Sequence, residues 1–274
     1  MPSHAPLAAT PPPPNLLREQ TGSVAVLTLN RPAARNSLSE ALIAELHAAL
    51  DEIADDKSVR AVVIAANGPA FSAGHDLKEL TARRGDADRG RAYFAALMNA
   101  CSAMMQAIVQ LPQPVVAAVQ GVATAAGCQL VASCDLAVAS DAATFATPGV
   151  DIGLFCSTPM VALSRNVPRK RALEMLLTGE AISATTAKDI GLVNRVVTAG
   201  TERDAAIALA RKVVLKSAHT VRIGKAAFYR QAEMSLADAY RYAAEVMTEN
   251  MLARDAEEGI GAFIEKRAPK WRDC

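Results

Sequence analysis

The chain has 274 residues, of which 51% are hydrophobic and only 4% aromatic, and 29 basic residues nearly balance 28 acidic ones. This length suits one large domain or a domain with an appendage, and its core must be built mainly from aliphatic side chains. The balanced charge gives no reason to expect a nucleic acid or a membrane surface as a partner, so an anionic ligand must meet a local basic site.

The cysteine pattern excludes two further classes of protein. The five cysteines show no C-x-x-C pair and no paired spacing with histidine, so neither a zinc site nor a disulfide framework is predicted. We therefore expect no metal, and reduced, mostly buried thiols in an intracellular protein.

The first half of the chain predicts alternating strands and helices. Residues 1 to about 20 are proline-rich and predict a disordered or extended tail without the hydrophobic region of a signal peptide. Val24–Leu29 predicts a strand, and residues 37–40 predict a capping box that opens a helix with Leu42, Leu46 and Leu50 on one face. A second strand is predicted at 61–65, a loop of small residues at 67–79, a mobile charged surface segment at 80–90 and a helix at 91–110.

Residues 92 to 134 contain no charged side chain, which raises the question of a membrane span. A spanning helix needs about 20 continuous apolar residues, and several glutamines and other polar residues interrupt this run. Pro112 and Pro114 would also break a helix across its middle. The run therefore predicts a buried helix followed by a buried strand.

The stretch from Gln120 to Asp135 predicts a strand, a tight turn and the start of a helix. The apolar run 114–119 is the strand, and small residues follow Gly121 up to the helix. A helix N-terminus presents free backbone N–H groups that suit an oxygen carrying negative charge, and small side chains let a ligand approach. The alternative is a turn that is simply packed tightly in a core.

The second half of the chain becomes almost wholly helical. Strands are predicted at 136–140, 143–147 and 192–197, and helices at 169–178, 183–190, 201–216, 221–232 and 235–267. Strands first and helices last predict an α/β core with a helical C-terminal appendage.

Several motifs in fixed order carry a resemblance to a known family. They include Asn30-Arg-Pro, then Phe71-Ser-Ala-Gly-His-Asp-Leu-Lys-Glu, then Gly121-x5-Gly-Cys-x5-Cys-Asp, and later Phe145-Ala-Thr-Pro-Gly. Over roughly residues 22 to 270 this set resembles the crotonase superfamily of enoyl-CoA hydratases and isomerases. Within it, the chain is most similar to the enoyl-CoA hydratase domain-containing protein 3 group, where histidine follows Ser-Ala-Gly and glutamine follows Gly-Cys.

The resemblance implies an α/β fold and an assembly. Residues 21–200 would form a spiral of ββα turns that binds an acyl-CoA thioester, and residues 201–274 a helical region for trimerisation, commonly into a dimer of trimers. No cofactor is implied, because coenzyme A is part of the substrate. The location implied is the cytoplasm for a bacterial protein, or the mitochondrial matrix for a eukaryotic one.

The resemblance also assigns positions in a site. The backbone N–H groups of His75 and Ala126 would hold the thioester oxygen as it gains enolate charge; the His75 imidazole need not act. The implied substrate-binding positions are Arg31, Ala73, Lys78, Gly127, Phe263 and Lys266. For the three cations the alternative is a solvated surface charge, and for Phe263 an ordinary core residue.

Two departures from the family pattern bear on the reaction. Hydratases of this family use two glutamates as a general acid/base pair, and this chain has Gln129 and Gly149 at those positions. Gln cannot transfer a proton near neutral pH and Gly has no side chain, so efficient hydration is not expected. Asp151, Ser157 and Thr158 are weak substitutes, and Cys128 and Cys156 are either nucleophiles or inert buried thiols.

Two classes of function therefore remain. One is an acyl-CoA enzyme of fatty-acid metabolism whose step needs mainly enolate stabilisation, such as isomerisation, thioester cleavage or slow hydration. The other is an acyl-CoA binding protein with little or no turnover. RNA binding occurs in one branch of the family, but the balanced charge gives it little support.

Overall fold

The computed structural model describes residues 13–274, so most of the predicted N-terminal tail lies outside the described residues. In these residues, ten strands form two sheets. They are β1 (Leu16–Thr21), β2 (Val24–Leu29), β3 (Ala61–Ala66), β4 (Ala70–Ser72), β5 (Val115–Val119), β6 (Val122–Thr124), β7 (Leu136–Ser140), β8 (Thr144–Ala146), β9 (Ile182–Ser183) and β10 (Arg195–Val197).

Eleven α-helices occupy the described residues. They are α1 (Glu40–Asp55), α2 (Leu77–Ala82), α3 (Arg91–Gln110), α4 (Ala126–Ser133), α5 (Ser157–Asn166), α6 (Arg169–Thr178), α7 (Ala184–Asp189), α8 (Glu202–Val214), α9 (Ala218–Gln231), α10 (Leu236–Leu252) and α11 (Arg254–Ile264).

From β3 to β8, successive strands alternate between the two sheets. The larger sheet has the order β1-β2-β3-β5-β7-β10 and the smaller one the order β4-β6-β8-β9. Thus β3 and β4, β5 and β6, and β7 and β8 each contribute one strand to each sheet before the chain enters the next helix. Within each sheet these strands pair in parallel, as a repeated ββα turn requires. This is the α/β spiral that the sequence predicts.

Both faces of the larger sheet are buried at β2, β3, β5 and β7, which explains the continuous aliphatic sequences of these strands. One face packs on α1 and α3 through residues such as Leu42, Leu46 and Leu50, all of which are fully buried as predicted. The other face packs on Ala206, Leu209 and Ala210 of α8. Thus α8, which the prediction assigns to the helical C-terminal region, packs on the sheet of the core.

Two predictions about the N-terminal part were wrong. Residues 16–20 were assigned to a tail, but β1 pairs antiparallel with β2 from Leu16↔Leu29 to Thr21↔Val24. The strand is polar and largely exposed, so it lacks the alternation that marks a strand. The helix that follows is capped by Ser39, whose hydroxyl accepts from the Leu42 N–H at 3.2 Å, and not by Ser37.

The predicted long C-terminal helix is two helices. Ala253, with φ −69° and ψ 144°, separates α10 from α11. Large apolar side chains of α9 to α11 are exposed in the single chain, including Phe228, Leu236, Tyr240, Met247, Leu252, Phe263 and Ile264. The sequence signal could not show this break, because no proline or glycine marks it.

Asp135 ties this helical region to the core. Its Oδ2 accepts from the Val115 N–H at 2.7 Å and from Lys225 Nζ at 2.7 Å, and its Oδ1 accepts from the Tyr229 hydroxyl at 2.9 Å. Lys225 Nζ also donates to the carbonyls of Ile108 and Gln113, so all three of its hydrogens are used. Asp135 therefore links the start of β5 to α9 through hydrogen bonds to both.

By length and composition alone, α3 is apolar enough to cross a membrane, with a mean hydropathy of 1.4. In the fold, one side of α3 packs against α1 and α4 through Leu97, Cys101, Met104 and Ile108. A helix that packs in a core passes the same composition test, so one such helix is weak evidence for a membrane span.

Candidate functional site

Three turns lie side by side at one edge of the smaller sheet. Ser72 of β4 pairs with Ala123 of β6, and Thr124 pairs with Ala146 of β8, all in parallel. Parallel neighbours bring their C-terminal ends to the same edge. The segments that follow these strands, residues 73–76, 125–127 and 147–149, are therefore neighbours. They contain both donor positions and one of the two glutamate positions implied by the resemblance.

One backbone N–H in the turn after β4 has no hydrogen-bond acceptor in the described residues. The Ala73 N–H donates to the Arg35 carbonyl at 3.0 Å, and the Asp76 N–H to the Leu38 carbonyl at 3.3 Å. The Gly74 N–H donates to the Ser72 hydroxyl at 3.3 Å. Within residues 13–274 the N–H of His75 has no acceptor.

The turn after β6 leaves a second N–H unpaired. The Ala125 N–H donates to the Ala146 carbonyl at 2.9 Å, and α4 then begins at Ala126. A residue in the first helical turn has no acceptor within its own helix, and in the described part of the chain the Ala126 N–H finds none elsewhere. Ala125 itself has φ 50° and ψ −118°, a strained conformation for a residue with a side chain.

The two turns touch at Gly74. A Cβ built on Gly74, which has φ 86°, would lie 2.9 Å from the Ala125 Cβ and 3.3 Å from the Ala126 nitrogen. Glycine is thus required at position 74 both for its φ and for this contact. Because His75 directly follows Gly74, the unpaired N–H groups of His75 and Ala126 belong to adjacent segments.

Gly127 has a packing role. A Cβ built on it would lie 2.2 Å from the Ser72 carbonyl oxygen, so α4 can approach β4 this closely only with glycine there. The sequence argument assigns its small size to substrate approach, whereas the structure uses it to set the helix on the strand. Ala73, at the start of the other turn, is partly buried.

Gln129 lies one turn into α4 and is 5% exposed. Its Oε1 is buried and has no hydrogen-bond partner in the described residues, and the same holds for His75 Nε2 and Thr147 Oγ1. Buried polar atoms are rarely left unpaired, and each such atom needs an explanation such as a water or a ligand. The described residues contain six buried side-chain nitrogen or oxygen atoms without a hydrogen-bond partner. Three of the six lie in the three turns or within one helical turn of them.

Gly149 has no room for a side chain. A Cβ built there would lie 2.9 Å from the Leu154 carbonyl oxygen, 3.0 Å from Cys156 Sγ and 3.2 Å from the Cys156 nitrogen. The segment closes on itself because the Leu154 N–H donates to the Gly149 carbonyl at 2.8 Å. The missing carboxylate at this position is therefore accompanied by a loop that fills its space.

The possible substitutes for the missing glutamates do not replace them. In an extended strand, Asp151 would point to the same side as position 149. Residues Pro148–Ile152 instead form a 3₁₀-helix, and the Asp151 carboxylate lies beside Gly179. Ser157 begins α5 and its hydroxyl donates to the Phe155 carbonyl at 3.3 Å. Thr158, the next residue of that helix, is partly buried.

The two candidate thiols are buried, which favours their protonated form. Burial raises the pKa of Cys128 to about 12, and the nearby Cys156 adds to this. Burial also raises the pKa of Cys156, although the Gly149 N–H opposes it. Burial of His75 lowers the pKa of its imidazole, which is therefore neutral at pH 7.

Arg31 is engaged inside the protein and is not a free cation. Its guanidinium donates to Asp76 Oδ2 at 3.0 Å and to the Ser37 carbonyl at 2.6 Å. The resemblance implies that Arg31 is a substrate-binding position, and in the structure its charge is paired with Asp76 in the His75 turn. Lys78 and Lys266 are exposed, and so is Phe263, at 84%. Phe263 is thus not a core residue of the single chain.

Comparisons with known proteins agree with this architecture. The enoyl-CoA hydratase/isomerase family pattern matches residues 19–274. The enoyl-CoA hydratase domain-containing protein 3, mitochondrial, of Xenopus laevis is 49% identical over 258 residues, covering 94% of this chain and 86% of that protein. The human protein of the same name is 48% identical over 252 residues, covering 92% and 82%.

Solved structures give the same result. An enoyl-CoA hydratase from Mycobacterium smegmatis superimposes with a TM-score of 0.90 and 53% identity, covering 94% of this chain and 99% of the other. The human enoyl coenzyme A hydratase domain-containing protein 3 superimposes with a TM-score of 0.89 and 47% identity, covering 94% and 100%. The chain belongs to the enoyl-CoA hydratase/isomerase family.

Proposed function

We propose that the protein binds acyl-CoA thioesters and polarises the thioester carbonyl with the backbone N–H groups of His75 and Ala126. The observation that carries the proposal is that these two N–H groups lack an acceptor in residues 13–274 and lie in segments that touch at Gly74. Fixed donors aimed at an oxygen that gains charge are the usual means of stabilising an enolate or a tetrahedral intermediate. The proposed substrates place the protein in fatty-acid metabolism.

The reaction is proposed to be one that needs little proton transfer from the protein. Neither Gln129 nor Gly149 is an acid or a base, and in the three turns the one carboxylate, Asp76, is paired with Arg31. Each general acid or base contributes typically about 10²–10⁴-fold. Hydration by the route of the two glutamates is therefore expected to be slow, which leaves isomerisation, thioester cleavage or slow hydration.

A binding or regulatory role is the second candidate. It is favoured by the filled space at Gly149, since a loop that occupies the position of a catalytic side chain does not serve turnover by that route. The unpaired N–H groups suit binding and catalysis equally. The two candidates differ in whether bound thioester is converted.

Binding is tested with two ligands that differ in one oxygen. Butyryl-CoA carries the thioester carbonyl, and its thioether analogue S-butyl-CoA has a methylene instead. Two neutral hydrogen bonds contribute about 0.5–1.5 kcal/mol each, so calorimetry should show the thioether binding roughly 5- to 150-fold more weakly. Equal affinities would contradict the carbonyl contact, and no binding of either ligand would contradict the whole proposal.

Turnover is tested by following the absorbance of crotonyl-CoA and by mass spectrometry of a panel of acyl-CoA thioesters. Hydration, isomerisation and hydrolysis give products that differ in mass or retention. Conversion of crotonyl-CoA with a kcat in the ordinary range of about 1–10³ s⁻¹ would show that the absent glutamates do not limit the reaction. No conversion of any bound thioester would favour the binding role.

We also propose that the chain self-associates through α9 to α11, as a trimer or a dimer of trimers. Exposed apolar side chains such as Leu236, Leu252 and Phe263 support this, because large exposed apolar surface usually marks an interface. Lys78 and Lys266 are proposed to meet the phosphates of coenzyme A, Lys266 from a neighbouring subunit, with Phe263 closing the acyl pocket. Analytical ultracentrifugation tests the assembly, and a monomer at micromolar concentration would contradict it.

A further inference from the structure

A strap of residues 31–38 runs along the turn that carries the His75 N–H. Three backbone hydrogen bonds join them: Ala73 N–H to the Arg35 carbonyl at 3.0 Å, Leu38 N–H to the Gly74 carbonyl at 2.7 Å, and Asp76 N–H to the Leu38 carbonyl at 3.3 Å. The strap therefore holds every residue of the turn except His75. It belongs to a different part of the spiral, between β2 and α1.

The bond between Leu38 and Gly74 fixes the direction of the His75 N–H. The Gly74 carbonyl and the His75 N–H are parts of one planar trans peptide unit, so they point in opposite directions. The Leu38 N–H holds the carbonyl end at 2.7 Å, and the N–H end must then face away from the strap. The direction of this donor is thus set by the strap and not by the turn alone.

The Arg31 side chain fastens the strap to the residue after His75. Its Nη2 donates to Asp76 Oδ2 at 3.0 Å, its Nη1 donates to the Ser37 carbonyl at 2.6 Å, and the Ser37 hydroxyl donates to the same Asp76 oxygen at 3.1 Å. The side chains of Arg31 and Asp76 are only 21% and 12% exposed, so the pair is partly shielded from water. Burial would raise the pKa of Asp76, but the hydrogen bonds from Arg31 and Ser37 outweigh it and lower that pKa.

Arg31 is itself held in place before it acts. Asn36, which is fully buried and has φ 51°, accepts from the Arg31 N–H at 2.8 Å. The Asn36 amide also donates to the carbonyls of Asn67 and Ala70, at 2.8 Å each. The strap is therefore tied to the segment before β4 and to the first residue of β4, and the guanidinium acts from a fixed backbone.

From this geometry we infer that Arg31 is a positioning residue for the carbonyl-polarising site. Through Asp76 and the strap it holds the peptide unit that ends in the His75 N–H, without touching the substrate. The inference rests on the proposed function, because it assumes that this N–H meets the thioester oxygen. Misplacement of a reacting group by about 1 Å can cost about 10²-fold in rate, so a residue of this kind matters although it is remote from the ligand.

The test measures carbonyl polarisation directly. Crotonyl-CoA labelled with carbon-13 at the thioester carbonyl is bound to the full-length protein, and its resonance shifts downfield when the oxygen accepts strong hydrogen bonds. The variants are Arg31→Ala, Arg31→Lys and Asp76→Asn. Arg18→Ala is the matched control, because Arg18 pairs with Glu52 at 2.8 Å, away from the turn.

We expect the shift to be full in the wild type and the control, and mostly lost in Arg31→Ala and Asp76→Asn. Arg31→Lys should recover part of it, since an ammonium can reach Asp76 but cannot also bridge to Ser37 in fork geometry. Affinity for butyryl-CoA should fall less than the shift does. If Arg31→Ala fails to fold, as judged by circular dichroism, the other two variants carry the test.

The outcomes separate the inference from the proposed function. A full shift in folded Arg31 and Asp76 variants overturns the positioning role and leaves the proposed function intact. A wild type that binds crotonyl-CoA without any shift overturns the proposed polarisation itself. A loss of shift in Arg18→Ala equal to that in Arg31→Ala would assign the effect to general destabilisation and also overturns the positioning role.

Discussion

Replacing Gly149 by alanine tests whether the position of the second glutamate has really lost its space. The added methyl group would lie 2.9 Å from the Leu154 carbonyl oxygen, closer than real Cβ atoms approach, and 3.0 Å from Cys156 Sγ, tighter than most real Cβ contacts. Overpacking of this kind costs about 1–3 kcal/mol. For a chain of this size each kcal/mol lowers Tm by about 2–4 °C, so the variant should melt roughly 2–12 °C below the wild type.

A double-mutant cycle shows which contact causes the loss. Cys156→Ala removes the sulfur but not the Leu154 carbonyl, so Gly149→Ala should cost less in that background, with a coupling energy of about 0.5–1.5 kcal/mol. The free energy of unfolding is measured by urea denaturation of all four proteins. Additive effects would mean that the sulfur does not contact the new methyl group.

Gly224→Ala is the matched control for this experiment. Gly224 lies inside α9 with nothing within 4 Å of a built Cβ, so alanine there should stabilise by about 0.5–1 kcal/mol. Replacing glycine by alanine is thus expected to lower the free energy of unfolding at position 149 and to raise it at position 224. If Gly149→Ala is as stable as the wild type, the space is present and the argument from loop closure is wrong.

Three further predictions concern other parts of the fold. Ala125→Gly should raise the free energy of unfolding by about 1 kcal/mol, because glycine relieves a strain of about 1–3 kcal/mol at φ 50°; a destabilised variant would contradict the strain. Lys225→Met should lower it by about 3–5 kcal/mol in urea denaturation, because Asp135 is left as a buried unpaired charge; a loss below about 1 kcal/mol would show that the pair is dispensable. N-ethylmaleimide at pH 8 should label the exposed Cys274 alone, and peptide mass spectrometry can show which cysteine is labelled. The buried thiols should not react, because a thiol with a raised pKa stays protonated until the pH approaches that pKa. For Cys128 that pKa is about 12, and fast labelling of Cys128 would contradict its burial.

The strong local signals in the sequence predicted their elements well. The predicted helices at 91–110, with no charge after Arg91, and at 169–178, which ends before Gly179 in the left-handed region, match α3 and α6. Period and termination signals act within one helix, so they do not depend on the rest of the fold. The elements that were missed include β1, β4, β6, α2 and α5, which are short or polar and form because a neighbour is already in place.

The site was predictable only in part, for a similar reason. The residue types at 75, 126, 129 and 149 could be read from the ordered motifs, because those motifs lie in turns next to predicted strands. The pairing of Arg31 with Asp76 and the closure of residues 149–156 depend on segments that meet only in the fold. Neither has a local signal, so a charged residue in a loop could not be distinguished from a free cation.

The alternation of strands between two sheets has a consequence for how such proteins change over time. In the smaller sheet, β4, β6 and β8 each end in a turn whose position is set by their parallel pairing. A residue inserted into one of these strands would move the turn that follows it. The exposed segments after the turns, such as 83–90, carry no such constraint. Selection can therefore rewrite the acid/base positions and the loops beyond them while the two backbone donors persist, because a backbone N–H survives almost any change of side chain.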